Sequence, residues 1–167
     1  MSLQHSHSTS PFSIQTFPLI IIGDGLQSPA NVGSLFRISD AFGVSKIIFC
    51  NTSININSSR LVKTARNTHN KVPYTISNDI LSEIKKLTQE GYEILALEIT
   101  NDSLPLGKLS VHSSEKKALI IGNESTGISE DLLGMASQVF HIPMFGTNSS
   151  MNVVQATAIA LYELTKN

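Results

Sequence analysis

The stretch Lys117-Ala-Leu-Ile-Ile-Gly-Asn-Glu-Ser-Thr-Gly-Ile-Ser-Glu130, followed by His141-Ile-Pro-Met-Phe-Gly-Thr-Asn-Ser-Ser-Met-Asn-Val-Val-Gln-Ala156, decides how the chain is read. An apolar run ends in a polar glycine loop, a second strand ends in another polar loop, and a helix closes the sequence. Buried strands that end in loops rich in glycine and amides are where an α/β protein holds a ligand. These two loops are the candidate pocket.

Upstream, the same alternation repeats. Phe17-Pro-Leu-Ile-Ile-Ile-Gly23 is short, apolar and rich in β-branched residues, as expected of a strand buried on both faces. Ser28 then reads as an N-cap with Pro29 at the first helical position, and Val32, Leu35, Phe36, Ser39 and Phe42 recur at helical spacing until Gly43. This places Asn31 near the helix start, at the strand's end, and Arg37 roughly two turns further on, not far off the same side. Lys46 to Cys50 is a second strand, parallel to the first by the right-handed crossover rule. The segment from Asn51 to Asn70 begins as loop, with a short helix around Arg60 to Arg66. A helix from Asn78 to Gln89 precedes a strand from Tyr92 to Leu97, and a polar connection from Glu98 to Ser114 leads into the strand that ends at Ile121.

The last helix, from about Met151 to Thr165, carries Val153, Val154, Thr157, Ala158, Leu161 and Tyr162, a wide apolar surface for the sheet or a partner subunit. Five or six short strands alternating with helices predict an α/β fold, a mostly parallel sheet with helices on both faces. One domain over 16–167 is expected. Residues 1–15, rich in Ser, His and Gln, read as a loose tail or a non-native remnant.

Bulk composition excludes several classes. At 167 residues the chain suits one well-buried core, and 41% hydrophobic with 15% charged residues is ordinary for a soluble globular protein. No apolar run approaches the roughly 18 to 20 residues that span a bilayer. No signal peptide opens the chain and Cys50 is the one cysteine, which argues for the cytosol. A net charge of −1 provides no global pull toward nucleic acid. Arg60, Lys63, Arg66, His69 and Lys71, however, follow one another without an intervening acid. By charge alone that cluster reads as a solvated face.

Two phosphate-binding signatures nearly fit. Gly23-Asp-Gly25-Leu-Gln-Ser28 has two glycines of the dinucleotide fingerprint but serine in the third place. Gly122 to Ser129 has the spacing of a P-loop, yet Ile128 stands where a lysine must reach the phosphates, and Glu124 would repel a triphosphate. A neutral or cationic ligand is the better expectation. Cys50 ends an apolar strand and reads as core. The histidines at 5, 7, 69, 112 and 141 show no metal-ligand spacing, so no metal is expected, and the Gly-x-Ser-x-Gly elbow of a hydrolase is missing.

Three segments carry a family resemblance. Pro29-Ala-Asn-Val-Gly-Ser-Leu-Phe-Arg37 resembles the first motif of the SpoU (TrmH-like) branch of the SPOUT RNA methyltransferases. Ile121-Gly-Asn-Glu-Ser-Thr-Gly127 resembles the second, and Ile142-Pro-Met-Phe-Gly146 with Ser150-Met-Asn-Val153 the third. The resemblance implies a deep C-terminal trefoil knot, a homodimer, S-adenosylmethionine as cofactor and a ribose 2′-hydroxyl of tRNA or rRNA as methyl acceptor. It implies cofactor contacts from Leu97, Glu98, Ile99 and Thr100, from Gly122, Asn123 and Glu124, from Ile142 and Met144, and from Ser150, Met151 and Asn152. Arg37 matches the family's catalytic arginine, and Asn31, Glu124, Ser150 and Asn152 match its other polar site positions.

A ribose 2′-hydroxyl is a poor acid, so methyl transfer to it calls for positioning and for a group that receives the proton or stabilises the developing oxyanion. Arginine, with a pKa above about 12, suits the second role better than the first. Each residue also has a plain structural use. Asn31, Ser150 and Asn152 could cap helices, Glu124 could hold its loop through backbone N–H groups, and Arg37 could pair with Asp40. Within the resemblance, the cluster from Arg60 to Lys71 becomes an RNA-backbone contact. The alternatives are a non-catalytic RNA-binding or ribosome-assembly module on the same fold and, more remotely, a small-molecule methyltransferase or hydrolase.

Overall fold

Seven parallel strands form the sheet in a computed structural model that describes residues 12–109, 112 and 114–166. In chain order the elements are β1 (Phe17–Asp24), α1 (Pro29–Ala41), β2 (Val44–Cys50), α2 (Ser59–Ala65), a 3-10 turn (Thr68–Asn70), β3 (Tyr74–Ser77), α3 (Ile80–Gln89), β4 (Glu93–Leu97), β5 (Leu104–Pro105), a second 3-10 turn (Leu106–Lys108), β6 (Lys117–Ile121), α4 (Glu130–Leu133), β7 (Gln138–His141) and α5 (Val153–Thr165). The strands lie in the order β3-β2-β1-β6-β4-β7-β5.

The period-2 alternation of the strands builds two cores. Leu19, Ile21, Ile47, Phe49, Leu95, Leu119 and Ile121 face α1, α2 and α5. Ile20, Ile22, Ile48, Ile94, Ala96, Ala118 and Ile120 face α3 and α4. A strand buried on both sides has no polar positions to spare, which is why these segments read as unbroken apolar runs. Phe36 is fully buried on α1 and packs edge-on against Tyr74, with ring centroids 5.3 Å apart. Burying one such ring contributes about 2–3 kcal/mol.

The expected helices and main strands form, with Ser28 capping α1 by accepting from the Asn31 N–H at 3.4 Å. Three elements were not anticipated. β3 is a sheet edge whose first three residues are exposed, β5 has two residues and includes a proline, and α4 has four residues. None is long or periodic enough to stand out in sequence.

The apolar surface of α5 divides between the chain's own core and an outward face. Val154, Thr157 and Leu161 are buried in the chain's own core together with Ala160 and Leu164, whereas Tyr162 is 64% and Ile159 41% exposed. Of the expected tail, residues 1–11, including His5 and His7, lie outside the described residues, and residues 12–16 are exposed without regular structure. Among the described residues no helix is long and apolar enough to cross a membrane, and no cluster of His, Cys, Asp and Glu is arranged to hold a metal.

Candidate functional site

β1, β6, β4 and β7 are neighbours in the sheet, and because they are parallel their C-terminal ends point the same way. Loops leaving β4, β6 and β7, with α1 on one side and the start of α5 on another, enclose a cleft of about 770 Å³. Its apolar wall comes from Leu97, Ile99, Ile121, Ile142 and Met144, and its polar wall from Asn31, Glu124, Ser150 and Asn152.

The glycine loop is held in three ways. Asn123 and Gly127 pair through two backbone bonds, 3.2 and 3.0 Å. Asn123 Oδ1 accepts the N–H groups of Ser125 (2.8 Å) and Thr126 (3.3 Å), and its Nδ2 donates to the Gly25 carbonyl at 2.6 Å. Glu98, at the end of β4, accepts from the Ile128 N–H at 3.0 Å and from the Ile99 N–H at 2.9 Å. Gly122 is required by closeness to backbone, and Gly127 by its left-handed φ. A Cβ on Gly122 would stand 2.4 Å from the Gly127 carbonyl carbon, and one on Gly127, whose φ is +67, would stand 2.5 Å from Glu98 Oε2. The N–H groups a P-loop would turn toward phosphate are here taken up by the chain's own carbonyls and side chains.

The three polar motifs meet although they are far apart in sequence. Asn31 Nδ2 donates to Glu124 Oε1 at 2.9 Å, and Asn152 Nδ2 donates to Asn31 Oδ1 at 3.2 Å. The backbone N–H groups of Gln27 and Ser28 also point at the Glu124 carboxylate, each at 3.4 Å. Burial pushes that carboxyl group's pKa up, but the Asn31 side chain and the N–H groups of Glu124 itself, Gln27 and Ser28 outweigh it and leave the pKa below its ordinary value. An ionised Glu124 therefore ties the glycine loop to the entry of α1.

Asn152 does two jobs, capping α5 by accepting from Val154 N–H (3.0 Å) and Gln155 N–H (3.4 Å) while reaching Asn31. Asn31 is not a cap, because Ser28 fills that role.

Of the residues expected at the cofactor, only Thr100 stays off the cleft wall. It forms a turn with Ser103, whose Oγ lies 2.9 Å from Nδ1 of His141, and His141 does line the cleft. Nothing local in the sequence marks His141, Ser149 or Ala156 as wall residues; they are brought there by the ends of β7 and α5.

Arg37 is exposed on α1 and is not among the cleft-lining residues. Arg60 and Lys63 are exposed on α2, and Arg66 ends that helix in a left-handed conformation, φ 47, with Asn67 also left-handed at φ 73. His69 and Lys71 follow on and after the 3-10 turn. This cluster sits apart from the cleft wall. Gly33 brings α1 and α2 together, since a Cβ there would stand 2.5 Å from the Leu61 carbonyl oxygen. Cys50 is fully buried, and burial first, then the charges of Glu83, Asp24 and Asp79, push its thiol up to about 12.

A parallel sheet whose strand-end loops form such a cleft defines an α/β ligand-binding domain, and solved structures share it. An AdoMet-bound rRNA methyltransferase from Sinorhizobium meliloti superposes with a TM-score of 0.82 at 25% identity, covering 92% of this chain and 57% of that one. The TrmH/SpoU tRNA modifying enzyme of A. aeolicus has the same fold, with a TM-score of 0.81 at 23% identity over 91% of this chain and 76% of its own. In sequence, residues 18–162 match the SpoU rRNA Methylase family, and the chain belongs to that family. Among its relatives is the 23S rRNA (guanosine(2553)-2'-O)-methyltransferase RlmP of Bacillus subtilis (strain 168), 27% identical over 145 residues. That match covers 87% of this chain and 57% of the relative, so the chain spans little more than half the relative's length.

Proposed function

We propose that this protein transfers a methyl group from S-adenosylmethionine to a ribose 2′-hydroxyl of rRNA or tRNA, working in the cytosol as a homodimer of one methyltransferase domain. The observation that carries this reading is the meeting of Asn31, Glu124 and Asn152, from three separate motifs, on the polar wall of one cleft. The names of the relatives support the substrate class and the cofactor. Family membership also supports a trefoil knot in the C-terminal segment.

The residues present fit the cofactor. The wall of Leu97, Ile99, Ile121, Ile142 and Met144 suits the flat apolar faces of an adenine, and the carboxylates of Glu98 and Glu124 favour a ligand that bears positive charge. Gly122 and Gly127 let the loop close on its own backbone and on Glu98, which holds the wall of the cleft in place. When bound, S-adenosylmethionine supplies an electrophilic methyl group on a sulfonium centre. The chain's own part is positioning: Glu124 fixes the glycine loop against α1, Asn31 relays that anchor to Asn152, and Ser150 adds a hydroxyl on the same wall. Arg37, outside the wall, takes the RNA side, orienting the acceptor hydroxyl with its neighbouring phosphate and stabilising the negative charge that develops as the hydroxyl proton passes to solvent water. Arg60, Lys63, Arg66, His69 and Lys71 hold the RNA backbone.

Incubation with labelled cofactor and total RNA, followed by digestion to nucleosides, is expected to yield a 2′-O-methylated nucleoside. Arg37→Ala abolishes that product while calorimetry shows cofactor binding retained. Methyl groups found only on bases, or on no RNA, refute the reading, and failure to bind the cofactor favours a non-catalytic module. Dimerisation rests on the outward Ile159 and Tyr162 of α5 and on the family. A monomer mass by light scattering refutes it.

A further inference from the structure

A second cleft, of about 470 Å³, opens at the outer edge of the sheet, where the loop before α2, the 3-10 turn at Thr68–Asn70 and the start of β3 converge. Ile56, Asn57, His69, Asn70, Lys71 and Tyr74 line it. Three properties of this place point to the same ligand chemistry.

The first is charge. The chain as a whole is at −1, yet no Asp or Glu stands between Asp40 and Asp79, and Arg60, Lys63, Arg66 and Lys71 all fall in that interval. All four are exposed, and none belongs to an ion pair among the described residues, where the two pairs are Lys117 with Glu115 and Lys166 with Glu163. Cations kept clear of carboxylates attract a polyanion.

The second is a rigid aromatic. Tyr74 packs edge-on against Phe36, 5.3 Å between centroids, and against Phe49 at 6.3 Å, yet stays 37% exposed at the cleft. The third is unfilled hydrogen-bonding capacity. Asn70 donates its Nδ2 to Asn67 at 2.7 Å, which leaves its carbonyl oxygen for a donor, and Nδ1 of His69, without a partner among the described residues, is shielded from solvent and meets a ligand only when the ring turns. An aromatic face, amides, an imidazole and flanking cations are what an unstacked nucleobase and its phosphates require. A base in a duplex cannot reach such a cleft.

We infer that this edge cleft binds an unstacked nucleotide in a single-stranded segment of the substrate RNA, with the base against Tyr74 and the adjoining phosphates on Lys71 and the α2 cations. The inference rests on the RNA-methyltransferase reading above. β3 lies three strands from β6 in the sheet, about 15 Å across at ordinary strand spacing, and Tyr74 is in register through Ile47 and Ile21 with Leu119, short of the strand end at Ile121, so an RNA strand of several nucleotides spans the two clefts. The two sites then divide the work: the glycine-loop cleft carries out the chemistry and the edge cleft selects for unpaired RNA.

The test uses the whole protein and a short unstructured RNA carrying 4-thiouridine. Photo-crosslinking is expected to map to the peptides of His69 to Tyr74. Tyr74→Ala loosens the same RNA about five- to a hundredfold in fluorescence anisotropy. Because Tyr74 also supports Phe36, Asn57→Glu is the second variant: it places a carboxylate in the cleft from an exposed loop and weakens binding about tenfold or more. Ser82→Glu makes the same charge change on α3, across the sheet, and leaves RNA affinity within about twofold. Cofactor affinity by calorimetry stays at the wild-type value in all three variants. RNA binding that survives both Tyr74→Ala and Asn57→Glu, or a duplex that competes as well as the single strand, overturns the edge subsite alone. Wild-type protein that binds cofactor but no RNA at low salt overturns the RNA reading, and the subsite with it.

Discussion

Gly127→Ala probes how the cofactor loop is held, because its cost has two separable causes. The first is the backbone: φ at +67 is left-handed, and a Cβ there costs about 1 kcal/mol. The second is Glu98. The new Cβ would stand 2.5 Å from Oε2, the atom that accepts the Ile128 N–H, so the carboxylate must swing away and leave that N–H unpaired. A bond to a charged acceptor on a partly buried side chain contributes about 1.5 kcal/mol. The expected total is about 2.5 kcal/mol, a fall in Tm of roughly 5–10 °C for a chain of this size.

The assay is urea unfolding of a double-mutant cycle. In a Glu98→Ala background only the backbone cost remains, so Gly127→Ala then costs about 1 kcal/mol and the coupling is about 1.5 kcal/mol, well outside ordinary additivity. Gly91 is the internal standard, with φ +84 and nothing among the described residues within 4 Å of its would-be Cβ, so Gly91→Ala shows the backbone cost by itself. Equal costs for Gly127→Ala in both backgrounds, or a cost no larger than that of Gly91→Ala, would refute the clamp. Cofactor affinity by calorimetry is expected to fall in Gly127→Ala and to be unchanged in Gly91→Ala.

Gly33→Ala is expected to cost about 1–3 kcal/mol in urea unfolding, because its Cβ would stand 2.5 Å from the Leu61 carbonyl oxygen and force α1 and α2 apart. Arg66→Gly relieves a left-handed arginine, so it is expected to hold or raise stability by up to about 1 kcal/mol, while the slope of log affinity for single-stranded RNA against log salt falls by about 0.7. Glu124 has a folded-state pKa below its unfolded value, so its contribution is complete above about pH 4.5 and is lost as pH falls through the lower folded value. Wild type and Glu124→Gln should therefore differ in urea midpoint at pH 7 and converge in acid. Cys50, with its thiol pushed up to about 12, stays unreactive toward a disulfide reagent at pH 8 until denaturant opens the core; fast labelling of the folded protein contradicts this burial.

Much of the architecture was legible because it is locally encoded. β1, β2, β4 and β6 are apolar runs buried on both faces, and that alone marks them as inner parallel strands. Ser28 and Pro29 announce α1 through the chemistry of its first turn, and the spacing of Ile80, Ile84 and Leu87 announces α3. β3 and β5 escaped because an edge strand needs neither length nor an unbroken apolar run. The motif residues, too, could be found in sequence, and so could the cap that Asn152 makes, but not the bonds that join one motif to another.

By itself the sequence determined the type of the longer elements, a mostly parallel sheet and the candidate polar residues, since each depends on neighbours a few positions away. Only the tertiary structure decided that Asn31 bonds Glu124 across 93 residues and Asn152 bonds Asn31 across 121. The same holds for Glu98, which closes on Ile128 across the loop, for Tyr162, which faces outward, and for Arg37, which stands off the cleft wall. These are contacts between segments that the strand order brings side by side. Their geometry follows from which strand pairs with which, and no local pattern carries that information.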